Sequence, residues 1–285
     1  VGIILGGTLN VTLLYKIHLW IFSSLAMLIC TIVSTILAGY YFFKVCKFSK
    51  FISVLAALPG AFVPISAALL EFGKSKNDKG VLIPQATRVI FIVSFVPIFF
   101  INNLGFSEMT GYNYENIYNG RYFLEILFLL IICFIFANIL KNYKIPSPTL
   151  VGAMALSGAF YTFEIINARF PDAFINIAFI FLGTALGTRL NGLKIKELLF
   201  FIFHGIIVSS ILVIVAMITA YLLTYIGFEF IPTFLSFAPG GIHEMVVISV
   251  AYNIDPIFVS YHHFLRIFII VLFLPFLLSK FRKTN

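Results

Sequence analysis

Long apolar stretches constrain this chain more than any other feature. Residues 17–43, 121–140, 171–188, 198–226 and 257–279 come close to or exceed the roughly 20 residues that cross a hydrocarbon core of about 30 Å as a helix. Lipid offers no partner to backbone N–H and C=O groups, and a helix satisfies them within one segment. Segments 80–101 and 149–168 are less uniform but long enough to cross as well. Hydrophobic residues make up 61% of the chain and charged residues 11%, against roughly 45–50% and about 25% in a soluble domain. The fold class that follows is an all-α polytopic membrane protein, with the lipid bilayer as its first partner. The chain opens on Val1 within apolar sequence, without a basic flank or cleavage site, and no signal peptide is predicted.

The net charge of +8 is not spread over a soluble surface. Most of it sits in five short clusters beside apolar segments: Lys44/Lys47/Lys50, Lys74/Lys76/Lys79, Lys141/Lys144, Arg189/Lys194/Lys196 and Lys280/Arg282/Lys283. Such clusters mark cytoplasmic loops, and direct contact with nucleic acid is not expected. The remaining loops lean acidic through Glu108, Glu115, Asp172, Glu229 and Asp255. With the basic clusters inside, helix 17–43 runs inward. Segment 51–73 has lysines at both ends and is expected to enter from the cytoplasm and return there. Helices 80–101, 121–140, 149–168, 171–188 and 198–226 then alternate outward and inward. Segment 230–254 lies between Glu229 and Asp255 and is expected to enter and return on the outer side. Helix 257–279 then brings the C-terminus to the cytoplasm. For either return segment the alternative is a kinked spanning helix.

Each return segment opens a passage that occurs twice. Residues 59–97 begin Pro59-Gly60, carry Arg88 and end at Pro97, whereas residues 239–275 begin Pro239-Gly240-Gly241, carry Arg266 and end at Pro275. In both copies the closing proline lies nine positions after the arginine, and a hydrogen-bonding residue, Gln85 or His263, lies three before it. Gly2-x3-Gly6 precedes the first copy as Gly183-x3-Gly187 precedes the second. Small residues at that spacing let membrane helices pack closely. The predicted organisation is a first, incomplete membrane repeat over 1–101, an external loop over 102–120, and a second, complete repeat over 121–285. The first repeat is expected to lack its front. An odd number of crossings makes this an inverted repeat of helices with two re-entrant Pro-Gly hairpins, an arrangement that marks binding sites in transporters.

Ionisable groups inside membrane segments are costly and are usually kept for function. The candidate binding residues are Pro59, Gly60, Gln85 and Arg88 in the first copy. In the second they are Pro239, Gly240, Gly241, His243, Glu244, His263 and Arg266. Residues three apart share a helix face, so Gln85 points with Arg88 and His263 with Arg266. In one reading each arginine reaches the opposite hairpin tip, where broken helix ends favour anions. The pair would then bind a small molecule or ion, and Glu244 or a histidine would carry a coupling proton. In the other reading the arginines cap hairpin carbonyls and Glu244 pairs with one of them. Glu244 has no counterpart in the first copy, where Pro64 stands. Glu164 and His204 lie nearer helix ends and read as structural.

No catalytic residue, metal site or cofactor is indicated. Nothing matches a phosphate-binding loop, a nucleophile elbow or an HExxH helix. His262 and His263 diverge by about 100° on a helix and make a poor metal pair. Cys30, Cys46 and Cys133 stand far apart and suggest neither a disulfide framework nor a metal site. The 35 phenylalanines are expected to face lipid or to pack.

The second copy reads APGGIHEM, then HHFLR, then a proline nine positions after the arginine. It resembles the bacterial membrane family labelled AbrB, which also carries the label ammonia monooxygenase. The match falls on Pro239, Gly240, Gly241, Glu244, Met245, His263, Arg266 and Pro275, and a weaker one on Pro59, Gly60, Gln85, Arg88 and Pro97. IPSPTLVGAM at 145–154 and FLGTALGTRL at 181–190 also look like family elements. The first copy departs from the pattern, with Ala61 for the second glycine and Pro64 for the glutamate. The resemblance implies a multi-pass protein of the bacterial inner membrane, with a label that points to regulation of gene expression. Without a soluble basic domain, such regulation would run through partners. The expected function is a secondary transporter or permease for a small polar or anionic solute, not an enzyme, and a homodimer is left open.

Overall fold

The computed structural model of the chain describes residues 3, 6, 7, 17–71, 78–104, 120–142, 148–166, 168, 174, 177, 180, 181, 184, 192, 194–252 and 254–282. Among these residues the regular structure is helical. A 3-10 turn, Ile17–Trp20, leads into α1 (Ile21–Lys44), followed by α2 (Lys50–Ala57), α3 (Phe62–Glu71) and α4 (Asp78–Leu104). Then come α5 (Gly120–Asn142), α6 (Pro148–Thr162), α7 (Ile195–Thr224), α8 (Phe230–Phe237), α9 (Ile242–Ala251) and α10 (Pro256–Arg282). Five stretches are long and apolar enough to cross a membrane: His18–Lys44, Lys79–Phe99, Tyr122–Lys141, Ile195–Thr224 and Pro256–Leu274. The chain is an integral membrane protein. Most of the span expected over 171–188, most of the loop over 102–120, and Gly2, Gly183 and Gly187 lie outside the described residues.

Local chemistry sets the helix limits. Asp255 Oδ1 accepts from the N–H groups of Ile257 and Phe258 at 2.9 and 3.3 Å, and Pro256 takes the first position of α10. Ser49 starts α2 in the same way, its side chain accepting from Ile52 N–H at 3.4 Å. At the other end of α2, Leu58 stands at ψ 116° ahead of Pro59, and Ala238 stands at ψ 138° ahead of Pro239 after α8. A proline clashes with helical backbone in the residue before it, so both helices stop there.

One expected span is shorter than the sequence suggests. Helix 149–168 ends at Thr162, because Glu164 takes φ 56°. The N–H groups of Glu164 and Ile165 bond back to Tyr161 O at 3.3 Å and Phe160 O at 2.9 Å, the bonds of a Schellman termination. Glycine usually fills that position, and a glutamate there gives no stop signal in sequence. At 15 residues α6 rises about 22 Å, less than a hydrocarbon core.

The two copies agree element by element. α2 and α8 each have 8 residues, α3 and α9 each have 10, and α4 and α10 each have 27. Their contacts are reciprocal. α2 and α3 pack on α4, as α8 and α9 pack on α10. Across the copies α3 meets α10 and α9 meets α4. α1 packs on α2 and α10, α7 on α8 and α4, and α1 and α7 on each other.

The inner face of α7 sets Val213, Ala216 and Ala220 against Ile92 and Val96 of α4 and Phe234 and Leu235 of α8. Its outer face, with those of α1 and α5, exposes residues such as Ile29, Phe123, Phe134 and Phe203, as a lipid-facing surface does. Gly6, half of a small-residue pair, faces α6 closely: a Cβ there would lie 2.6 Å from Met154 O. Gly205 likewise brings α7 onto α4, where a Cβ would lie 3.0 Å from Thr87 Cβ.

Candidate functional site

A helix leaves its last carbonyls without intrahelical partners, and where they are buried a donor from elsewhere in the protein must take the place of water. Both breaks solve this with an arginine from the long helix that follows. Arg88 Nη1 donates to Ala57 O at 3.3 Å and its Nη2 to Leu58 O at 2.7 Å. Arg266 Nη1 donates to Phe237 O and its Nη2 to Ala238 O, both at 3.0 Å. Of the two sequence readings, the capping one therefore describes these bonds, made to the arginine's own copy. The arginines are 2% and 1% exposed, and among the described residues neither forms an ion pair with a carboxylate. The negative ends of α2 and α8 stand in for a counter-charge. Each Nε is buried without a hydrogen-bond partner.

Gln85 and His263 perform one task with different chemistry. Gln85 Nε2 donates to Leu55 O at 2.6 Å and Leu58 O at 3.3 Å, while its Oε1 accepts from Arg88 Nη2. His263 Nε2 contacts Leu235 O at 3.1 Å, and its Nδ1 lies 2.6 Å from Arg266 Nη2. A carbonyl only accepts and a guanidinium only donates. His263 is therefore the neutral tautomer with its proton on Nε2, and in this state it is no proton carrier. An amide reproduces that donor and acceptor pair. His263→Gln is accordingly expected to leave thermal stability in detergent near wild type, whereas His263→Leu leaves a carbonyl and a guanidinium N–H short of partners and costs about 1–3 kcal/mol.

The two breaks meet at Arg266. Gly60 has φ 69°, and a Cβ on it would lie 2.9 Å from Arg266 Nη2 and 3.0 Å from Nε. Arg266 thus caps its own break and lies against the opposite one. Arg88 caps Leu58 O, two residues before Gly60, so both arginines serve the first break. Pro59, Pro239 and Gly240 are buried around this centre, and Gly60, Gly241 and Glu244 are half-exposed.

The Pro-Gly-Gly-x-x-Glu-Met run has a packing explanation. Glu244 folds back over Gly241, where a Cβ would meet the carboxylate, with Cδ 2.9 Å away. Met245 fills the space over Gly240, its Cε 2.8 Å from a Cβ position there. Among the described residues Glu244 forms no ion pair with an arginine, unlike in the second reading, and its carboxylate instead lies over Gly241 at the start of α9. The first copy has Pro64 there and tolerates Ala61. The side chain of His243 lies outside the described residues.

Other polar groups bind elements together. Tyr41 O–H and His204 Nδ1 meet at 2.7 Å between α1 and α7, and Glu164 is an exposed helix terminator. His262 turns away from His263, its Nδ1 donating to Phe258 O at 2.8 Å and its Nε2 2.9 Å from Ser23 Oγ. Sequence reading passed over Glu125, which accepts from Ala168 N–H at 3.0 Å. An acid inside a predicted span was the available signal.

The geometry accounts for the two glycines, the glutamate and the arginine of the second copy as one assembly. A family model described as "Transition state regulatory protein AbrB" matches residues 1–282. The chain belongs to the AbrB family. The match to AbrB covers both breaks and both long helices. The protein is also similar to YhjN of Bacillus subtilis (strain 168), described as uncharacterized, at 25% identity over 288 residues, 96% of this chain and 74% of YhjN.

Proposed function

We propose that this AbrB-family protein is a secondary transporter or permease of the bacterial inner membrane for a small polar or anionic solute, and not an enzyme. In this reading the copies are inverted across the bilayer with the C-terminus cytoplasmic, and each break is the tip of a re-entrant hairpin. The observation that carries it is the meeting of two broken helix pairs at a buried arginine. Discontinuous helices that bring their ends together near the midplane are the usual frame of a solute site. The reciprocal contacts support it, since two like halves can rock about a shared centre. Glu244, the half-exposed acid there, is the candidate proton carrier. Flux into proteoliposomes that responds to a pH gradient is expected to lose that response in Glu244→Gln. An unchanged response would remove Glu244 from the coupling step.

The family description supports a second reading, a regulator of gene expression acting through partners. A transcriptional phenotype of a deletion strain, restored by a variant without flux, would favour it.

A further inference from the structure

One difference between the two breaks bears on what charge the site accepts. Gly241 is the N-cap of α9, its carbonyl accepting from Met245 N–H at 3.1 Å, and the Glu244 carboxylate lies over it. That helix N-terminus, which favours negative charge, already holds a carboxylate. Ala61 is the N-cap of α3, its carbonyl accepting from Ile65 N–H at 2.9 Å, and Pro64 stands where the glutamate would be. The α3 N-terminus has no such built-in acid.

A second observation points to the same place. Arg266, 1% exposed, lies with its guanidinium against Gly60, directly before that N-cap, and its Nε has no partner. The charges can be counted. Two guanidiniums bring +2, the C-termini of α2 and α8 return about −0.5 each, the N-termini of α3 and α9 add about +0.5 each, and Glu244 brings −1. The centre is left with about +1, enough for one monoanionic group.

We propose that the first-copy break, Gly60 to Phe62 at the α3 N-terminus beside Arg266, is an anion subsite that takes one carboxylate of the solute. Glu244 is its built-in counterpart at the α9 N-terminus. The N–H groups of Phe62 and Val63 touch the anion, since Pro64 has none and Ile65 N–H is bonded to Ala61 O, and Arg266 supplies charge from beneath. This rests on the transporter reading and gives it a substrate class, small monocarboxylates.

The test builds the second copy's device into the first. Ala61→Gly with Pro64→Glu places a tethered carboxylate at the α3 N-terminus, and Ala61→Gly with Pro64→Gln is its uncharged control. Acetate, benzoate and inorganic phosphate are titrated against the purified protein while its melting temperature is followed. Wild type and the Gln variant are expected to be stabilised by the carboxylates. The Glu variant is expected to bind them at least tenfold more weakly. Stabilisation by phosphate alone would assign the subsite to phosphate groups, such as those of lipids, and overturn the carboxylate assignment. Equal binding by the Glu and Gln variants, or equal loss in both, would overturn the proposal. A wild-type protein that moves neutral solutes but ignores carboxylates would overturn it while leaving transport standing. Absence of flux for neutral and anionic solutes alike would instead remove the transporter reading.

Discussion

Arg266→Met is expected to destabilise the protein by about 3 kcal/mol or more, enough to empty the folded membrane fraction in many backgrounds. Three buried acceptors lose their donor together: Phe237 O, Ala238 O and His263 Nδ1. Each buried group left without its partner costs about 1–3 kcal/mol. Arg266→Lys should restore little, because a point ammonium cannot reproduce the planar fork that reaches two carbonyls and an imidazole. Size-exclusion profiles and melting curves in mild detergent provide the measurement. A variant that melts within a degree or two of wild type would show that the break has another cap.

Gly60→Val comes next in expected size, at about 3 kcal/mol. A β-branched residue at φ 69° is a backbone outlier, costing roughly 1–2 kcal/mol by itself. Its Cβ would also stand 2.9 Å from Arg266 Nη2 and force the guanidinium off the Phe237 and Ala238 carbonyls. Gly240→Ala is the comparison. There the new Cβ meets Met245 Cε and Sδ at 2.8 and 3.0 Å, the far end of a flexible side chain, and about 1 kcal/mol is expected. Equal melting temperatures for the two variants would contradict the contact between the breaks.

Much of this arrangement could be read from residue order. The apolar runs located α1, α4, α5, α7 and α10 within a few residues, and the two Pro-Gly elements marked both breaks. The lengths of α2 and α8, of α3 and α9, and of α4 and α10 repeat as the duplicated passage implied. What sequence did not reveal was direction. Spacing put Gln85 with Arg88 and His263 with Arg266, but a long side chain can swing toward either break. Only the position of the carbonyls left open by Leu58 and Ala238 decides between them. The glutamate was misleading for a related reason. A carboxylate beside Pro-Gly-Gly looks available for an arginine, and nothing in a linear reading shows that Gly241 is small because Glu244 lies on it. Glu164 closes α6 with a backbone conformation that composition rarely assigns to an acid.

The capping bonds also say something about how the chain is made. Arg88 follows the carbonyls it serves by 30 and 31 positions, and Arg266 follows its own by 28 and 29. At a synthesis rate of about 5–20 residues per second, each broken helix would wait roughly 1.5–6 seconds for its arginine. Neither copy depends on the other for this step. The first copy can therefore cap its own break without the second, and only the approach of Arg266 to Gly60 must await the final helix.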